Sequence, residues 1–330
     1  NTWILDEWYD QAVAGTQGDY VGISALYVWG AAEAGSLAQN AGGYPGQPLS
    51  SPAQIPGTNW QTEFYNAPKS GWHMIMAKTD GTLWGWGKGS DWGQLGLNTK
   101  NPGYKFSSPV QIPGTNWKIG GTTREASFAV KTDGSLWTWG APNQGQLGQS
   151  TAYPAGLSSP MQVGTDTTWN YCWGGYESMI ATKTDGTLWA WGRNAAGELG
   201  DNTETSRSSP IQIGTKTNWT TASIAQYGCH GALNSNNELF VWGFGNEGQL
   251  GTNTPANTDY SSPTQIPGSW SEFKGRSSGA FAKKTDGTIW TWGSNQGALG
   301  LNDTAARSSP CQVGTDTNWN RISGGSGGIA

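Results

Sequence analysis

The stretch KTDGTLWGWGKGSDWGQLGLN, residues 78–98, returns along the chain with small changes. It is repeated as KTDGSLWTWGAPNQGQLGQS over residues 131–150 and as KTDGTLWAWGRNAAGELGDN over residues 183–202. Aspartate supports a tight turn through its side chain and glycine supplies a positive φ, so the Lys-Thr-Asp-Gly segment predicts a hairpin. Tryptophans two residues apart in the strand that follows point to one face of a sheet.

Three signatures each occur six times. A strand ending in Trp-Gly occupies residues 26–30, 83–87, 136–140, 188–192, 239–243 and 289–293. The motif Ser-Ser-Pro-x-Gln begins at Ser50, Ser107, Ser158, Ser208, Ser261 and Ser308. A tryptophan follows that motif at Trp60, Trp117, Trp169, Trp219, Trp270 and Trp319. Repeats of about fifty residues built of short strands predict a β-propeller or a β-solenoid. No stretch shows a 3.6-residue apolar period with helix caps, so little helix is expected.

The combined pattern DGxLWxWGxNxxGQLG, followed by SSPxQV, resembles the repeat of the regulator-of-chromosome-condensation family over residues 20–330. That resemblance implies an all-β propeller. Six copies predict six blades of four antiparallel strands, with seven blades as the alternative because the family is often seven-bladed. Residues 20–330 are expected to form this single domain, and residues 1–19, which fit no repeat, an N-terminal arm.

The two ends of the chain carry complementary parts of a repeat. After Trp319, the segment NRISGGSGGIA aligns with the stretch from Trp270 to Phe281, so Ala330 falls where a hairpin would begin. The first copy has the Trp-Gly strand without a turn before it. The N-terminal and C-terminal strands are therefore expected to pair within one blade and close the ring without a free edge.

Composition narrows the classes of function. Charged residues make up 12 % of the 330 residues, the net charge is −5 and no basic run exists, which argues against nucleic acid as a partner. No apolar run reaches membrane-spanning length, so no membrane insertion is expected. Two histidines and three cysteines at unrelated spacings predict no metal site, no organic cofactor and no enzyme. A chance pair of facing carboxylates, such as Glu177 with Asp201, is the catalytic alternative.

Aromatic residues outside the signatures are the candidates for binding, because loops on a repeated scaffold carry function. Tyrosines among Asn, Thr and Gly are typical of adaptable binding loops. These candidates are Trp92, Tyr104, Phe106, Tyr153, Tyr260, Trp72 and Trp173. In the N-terminal arm, Trp3, Trp8 and Tyr9 are candidate docking residues. The alternative is that these aromatic side chains only fill gaps between blades or pack the arm on the rim.

The sequence favours a non-enzymatic binding or structural module. Low charge, abundant Gly, Asn, Thr, Ser and Trp, and the opening NTWILDEWYDQ resemble structural proteins of tailed marine phages. That resemblance implies a tail or capsid surface protein of a virion, with a protein or glycan receptor and other virion subunits as partners. The alternatives are a propeller-type protein inhibitor or an intracellular scaffold of the exchange-factor kind, and a secreted protein in place of a virion surface protein.

Overall fold

The repeats fold into a six-bladed β-propeller, as seen in a computed structural model of the chain. The structure describes residues 26–32, 38, 46–61, 73–89, 92–100, 105–150, 156–225, 229–254, 258–276, 278–295, 297–319, 322–324 and 328–329. Over these residues the chain is all-β except for one turn of 3-10 helix at Asn143–Gly145. Both the all-β class and the six blades predicted from the repeat count are confirmed.

Each blade takes consecutive strands of the chain in antiparallel order. The first chain segment supplies β1 (Tyr27–Ala32) and β2 (Gly46–Gln54), and blade 2 contains β3 (His73–Ala77), β4 (Leu83–Lys88) and β5 (Lys105–Ile112). Blade 3 contains β6 (Trp117–Thr122), β7 (Ala126–Lys131), β8 (Leu136–Gly140) and β9 (Leu157–Gln162). Blade 4 contains β10 (Trp169–Gly174), β11 (Ser178–Lys183), β12 (Leu188–Gly192) and β13 (Arg207–Gln212). Blade 5 contains β14 (Trp219–Ile224), β15 (Cys229–Asn234), β16 (Leu239–Gly243) and β17 (Tyr260–Ile266). Blade 6 contains β18 (Trp270–Arg276), β19 (Gly279–Lys284), β20 (Ile289–Gly293) and β21 (Arg307–Val313), and the chain continues with β22 (Ser323–Gly324) and β23 (Gly328–Ile329).

The core lies between adjacent blades, and the tryptophan of the Trp-Gly motif anchors it. Trp191 of blade 4 is 0 % exposed, and its Nε1 donates to the carbonyl oxygen of Gln146 in blade 3 at 2.9 Å. The same bond crosses each of three other junctions, from Trp139 to Gln94, from Trp242 to Glu198 and from Trp292 to Gln249. A buried indole N–H needs such an acceptor.

The Gly-Gln-Leu-Gly and Ser-Ser-Pro signatures meet at the same junctions. Gly148 has a φ of +65°, and a Cβ at this position would lie 2.9 Å from Nε1 of Trp191, so only glycine fits. Two residues later, the Ser150 N–H donates to the carbonyl oxygen of Ser208 in the next blade at 2.8 Å. Asn98, Asn202 and Asn253 donate in the same way to Ser158, Ser261 and Ser308. The two signatures are therefore the contact surfaces between successive blades.

The remaining described strands form two short sheets, β1–β2 and β22–β23. Ile322, just before β22, is 4 % exposed and packs with Phe281 and Ile289 of blade 6. Val28 of β1 packs on the cluster that holds Met76 of blade 2. Among the described residues β1 bonds only to β2 and β22 only to β23, so the predicted pairing between the chain ends is not observed there. Residues 20–25 and Ala330, and the whole predicted arm 1–19, lie outside the described residues.

Candidate functional site

The strand order gives the propeller two faces with different loops. The hairpin turn between the second and third strands of a blade, and the connection from its fourth strand to the next blade, lie at one end of the sheet. We call this end the repeated face. The loops between the first and second strands, and between the third and fourth strands, lie at the other end, which we call the variable face.

On the repeated face, the turns are held by side chains within a few residues of one another. In blade 3, Oδ1 of Asp133 accepts hydrogen bonds from the backbone N–H and the hydroxyl of Ser135, at 2.9 and 2.7 Å. The Ser135 hydroxyl oxygen in turn accepts from Nε1 of Trp137 at 2.9 Å. These hydrogen bonds lower the pKa of Asp133. The same Asp–hydroxyl–Trp series recurs at Asp80, Asp185 and Asp286.

A lysine completes each of these turns. The ammonium of Lys131 lies 4.8 Å from the ring centroid of Trp117 and 4.6 Å from that of Trp137. Lys78, Lys183 and Lys284 occupy the same position between two tryptophans in blades 2, 4 and 6. Such cation–π contacts contribute about 0.5–1 kcal/mol at exposed sites. Because the polar groups of these four turns bond to one another in the same way, the repeated face is largely self-contained.

On the variable face, the loops between third and fourth strands are of two kinds. In blade 4, Arg207 donates from Nε and one Nη to Oδ2 of Asp201 at 3.1 and 2.9 Å, and Asn194 Nδ2 donates to Oδ1 of Asp201. Blade 6 has a corresponding arrangement of Asn295, Asp303 and Arg307. We call these two loops stapled. Gly89, Pro142 and Gly245 stand where the stapled loops have asparagine, so the loops of blades 2, 3 and 5 are built differently.

Two loops between first and second strands, together with the loop after the third strand of blade 4, bring charged groups together across blades 3 and 4. The guanidinium of Arg124 lies over the ring of Tyr176 at 4.7 Å and donates to the Tyr176 hydroxyl. An Nη of Arg193 lies 3.7 Å from a carboxylate oxygen of the buried Glu198. Partial burial raises the pKa of Glu177, while the positive charges of Arg193 and Arg124 act in the opposite direction. We call Arg124, Tyr176, Glu177 and Arg193 the charged cluster. The sequence analysis selected aromatic residues and therefore did not predict the two arginines as part of a site.

The structure places three predicted binding aromatics at or near the variable face, each partly exposed. Trp92 lies in the loop of blade 2, where its ring approaches Gly156 of blade 3. Phe106 and Tyr260 hold equivalent positions, because each directly precedes a Ser-Ser-Pro motif and pairs with the glycine of a Trp-Gly motif. The predicted residues that lie outside the described residues are Tyr104, Tyr153, Trp72, Trp3, Trp8 and Tyr9.

Trp173 does not lie in a loop as the sequence suggested. It belongs to β10, is 1 % exposed and packs in the core with Ile180 and Ile224. The first strands of the blades carry no signature beyond their opening tryptophan, so the sequence pattern hid this strand. At that depth Trp173 contributes to the packing between blades 4 and 5.

Groups that could support chemistry are dispersed in the described part of the chain. Cys229 donates to the carbonyl oxygen of Gln249, whereas its neighbour His230 bonds through Nε2 to the Ser178 hydroxyl at 3.2 Å. Both oxygens of Asp201 bond within the stapled loop. The described residues contain no group of three or more His, Cys, Asp or Glu side chains placed to hold a metal ion. They also contain no helix long and apolar enough to cross a membrane.

Comparison with known proteins agrees with the repeat pattern. The regulator of chromosome condensation (RCC1) repeat matches residues 185–230, 236–281 and 286–329. Three segments within residues 185–329 therefore match the RCC1 repeat. The chain is similar in sequence to the ultraviolet-B receptor UVR8 of Arabidopsis thaliana, at 25 % identity over 54 % of this chain and 41 % of that protein. The probable E3 ubiquitin-protein ligase HERC3 of Homo sapiens is 28 % identical over 62 % of this chain and 20 % of that protein. The matches thus span less than half the length of these relatives.

Solved structures with the same fold include human WBSCR16, with a TM-score of 0.74 and 17 % identity over 88 % of this chain and 78 % of that one. Prp20p from Saccharomyces cerevisiae, described with its binding properties to Gsp1p and histones, has a TM-score of 0.73 and 17 % identity over 89 % of this chain and 74 % of that one. At this level of identity, the likeness shows that the chain shares their propeller fold.

Proposed function

We propose that the protein is a non-enzymatic, protein-binding propeller that engages its partner with the variable face. The contrast between the two faces carries this proposal. Four blades bond the polar groups of the repeated face in one self-contained pattern, while the variable face presents Arg124, Tyr176, Arg193 and Trp92 in no repeated pattern. Arg, Tyr and Trp are the residue types that dominate the energy of protein interfaces. A propeller of this kind, Prp20p, binds the proteins Gsp1p and histones, which supports a protein partner here.

The test uses the full chain as bait in an extract of its source cells, with cross-linking and mass spectrometry as the readout. A double variant, Trp92→Ala with Arg193→Glu, changes the variable face. A matched control, Asp316→Lys, changes an exposed residue on the repeated face. We expect the control to capture the same protein as the wild type and the double variant to lose at least about tenfold in affinity, because interface anchors of this kind each contribute about 2 kcal/mol or more. Loss of the partner in the control alone would refute the assignment of the face.

The virion surface location implied by the resemblance to phage structural proteins stays a prediction, with a host receptor, a glycan or a neighbouring virion subunit as the partner. Mass spectrometry of purified virions tests it, and a chain present in cells but absent from virions would contradict it. The propeller-type inhibitor and the exchange-factor-like scaffold use the same face in this proposal. The identity of the captured protein distinguishes these alternatives. The propeller fold shared with Prp20p favours the exchange-factor-like scaffold.

A further inference from the structure

A groove on the rim between blades 5 and 6 lies away from the charged cluster. Its volume is about 490 Å³, within the usual range for small-ligand sites. Tyr260 and Trp290 form aromatic walls, and both pack on the same buried cluster around Ile266 and Trp270. Thr252, Asn253 and Lys284 are among its lining residues.

Lys284 is the charged group of this groove. Its ammonium lies 3.8 Å from the ring centroid of Trp290 and 5.3 Å from that of Trp270. No carboxylate of the described residues forms an ion pair with it. Asp286 is near enough for the lysine charge to lower its pKa, but its hydrogen bonds from Thr288 are the larger cause. The ammonium therefore has capacity for an external carboxylate.

The corresponding lysine of blade 4 shows how the chain satisfies the same position internally. Nζ of Lys183 lies 2.5 Å from Oδ2 of Asp166, which stands in the connection before Trp169. The connection before blade 6 is shorter and reads Pro-Gly-Ser between Ile266 and Trp270, without an acidic residue. A ligand carboxylate at Lys284 would take the place that Asp166 takes at Lys183.

We infer that this groove binds a carbohydrate that carries a carboxylate, such as a uronic acid residue. Tyr260 and Trp290 offer aromatic surfaces on which the C–H face of a sugar ring can pack. The neutral side chains of Thr252, Asn253 and Gln265 match sugar hydroxyl groups, and Lys284 matches the carboxylate through a charge-assisted bond. An acidic peptide would satisfy the lysine equally well, but the number of neutral hydrogen-bonding groups beside the rings favours a polyhydroxylated ligand.

The test compares a tetrasaccharide containing glucuronate with its carboxyl-reduced twin, by isothermal titration calorimetry on the full chain. We expect the acidic sugar to bind about tenfold more tightly than its twin, as one charge-assisted hydrogen bond allows. Lys284→Met keeps an unbranched apolar side chain beside the tryptophans and should remove that difference. Lys183→Met is the matched control and should keep it.

Equal affinity of the wild type for both sugars, or no binding of either, would overturn the inference without any variant. Equal loss in the two lysine variants would also overturn it, and so would binding of an aspartate-rich peptide at Lys284 in preference to the acidic sugar. Melting temperatures of both variants identify a folding defect. If one variant unfolds, the difference in affinity of the wild type for the two sugars still tests the inference. The inference is independent of the variable-face proposal, because Trp92→Ala with Arg193→Glu should leave sugar binding unchanged.

Discussion

On the repeated face, blades 2, 3, 4 and 6 hold an aspartate, a hydroxyl and a tryptophan in the same hydrogen bonds. On the variable face, by contrast, the segments between the third and fourth strands of blades 2 to 6 all differ in sequence. The turns of the first face find their partners within a few residues. The charged cluster of the second face spans two blades. Under the proposed function, this difference separates stability from recognition. Substitutions in the repeated signatures should lower the free energy of unfolding, and substitutions on the variable face should lower the affinity for the partner.

The largest difference is expected when a tryptophan of the repeated signatures and a tryptophan of the variable face are each replaced. Trp139 is 0 % exposed and its Nε1 donates across the junction to Gln94. Trp139→Ala should lower the free energy of unfolding by about 3–5 kcal/mol, because it leaves a large cavity between blades. Trp92→Ala should leave urea denaturation nearly unchanged and weaken partner binding. If the two variants unfold at the same urea concentration, Trp92 belongs to the scaffold.

A second test concerns the approach of one blade to the next at the repeated face. Gly134 has a φ of +81°, and a Cβ there would lie 1.9 Å from the Thr167 carbonyl oxygen. Gly164 has a φ of +58° with nothing within 4 Å. Gly164→Ala should therefore cost about 1–2 kcal/mol from its backbone conformation alone, and Gly134→Ala should cost clearly more, about 3 kcal/mol or above, since strain and clash add. Equal melting temperatures of the two variants would show that the turn at Gly134 can shift without disturbing the junction between the blades.

A third test examines how well the core beneath the variable face excludes water. His73 begins β3, and its Nε2 bonds to the Ser127 hydroxyl of blade 3 at 2.8 Å. Burial lowers the pKa of His73 to about 3 from 6.5. Below pH 6.5 the unfolded chain therefore binds a proton at His73, whereas the folded chain does not bind it until the pH approaches 3. As a result, the free energy of unfolding is unaffected by this group well above pH 6.5 and decreases as the pH falls from 6.5 toward 3.

Between pH 7 and pH 5 this linkage amounts to about 2 kcal/mol for one histidine. His73→Gln, whose amide can still donate to Ser127, should lose that much less stability over the interval than the wild type, as measured by urea denaturation at both pH values. His230 has a pKa lowered to about 3 by the same cause, so His230→Gln should show a similar gain in acid. A pH dependence identical to that of the wild type in both variants would mean that water reaches these rings.

The smallest effect is expected in the stapled loops of the variable face. Arg207→Lys replaces two hydrogen bonds to Asp201 with at most one, and the Arg207 side chain is 37 % exposed. The cost in stability should stay below about 1 kcal/mol. Amide hydrogen exchange over residues 201–206 should nevertheless accelerate, while residues 303–306 of the stapled loop in blade 6 serve as the internal reference. Unchanged exchange would show that Asn194 alone holds the loop.

Local sequence was enough to predict the parts of the fold that are bonded locally. The Asp-Gly turns, the Trp-x-Trp strands and the number of blades follow from motifs whose partners lie within a few residues or recur at a fixed spacing. Trp173 was misplaced because the first strands are specified by packing against the neighbouring blade, which leaves no short motif. The bond from Trp191 to Gln146 could not be anticipated for a related reason: its two ends belong to different repeats.

The candidate sites divide in the same way. Trp92, Phe106 and Tyr260 could be found by subtracting the repeated signatures from the sequence. The available charge of Lys284 could not, because its motif is identical to that of Lys183 and only the length of a neighbouring connection distinguishes them. The juxtaposition of Arg124 with Tyr176 depends on the angle between two blades, which no linear pattern contains.

The junction bonds have a consequence for how such a protein changes over generations. Each of the four junctions from blade 2 to blade 6 joins the Gly-x-Leu-Gly segment of one unit to the tryptophan and serine of the next through the same atoms, as from Ser150 to Ser208 and from Asn202 to Ser261. A duplication or deletion of one whole repeat in the gene would therefore recreate every contact in register. Ring size can drift by unequal recombination between repeats, while each unit keeps the freedom to acquire its own outer loops.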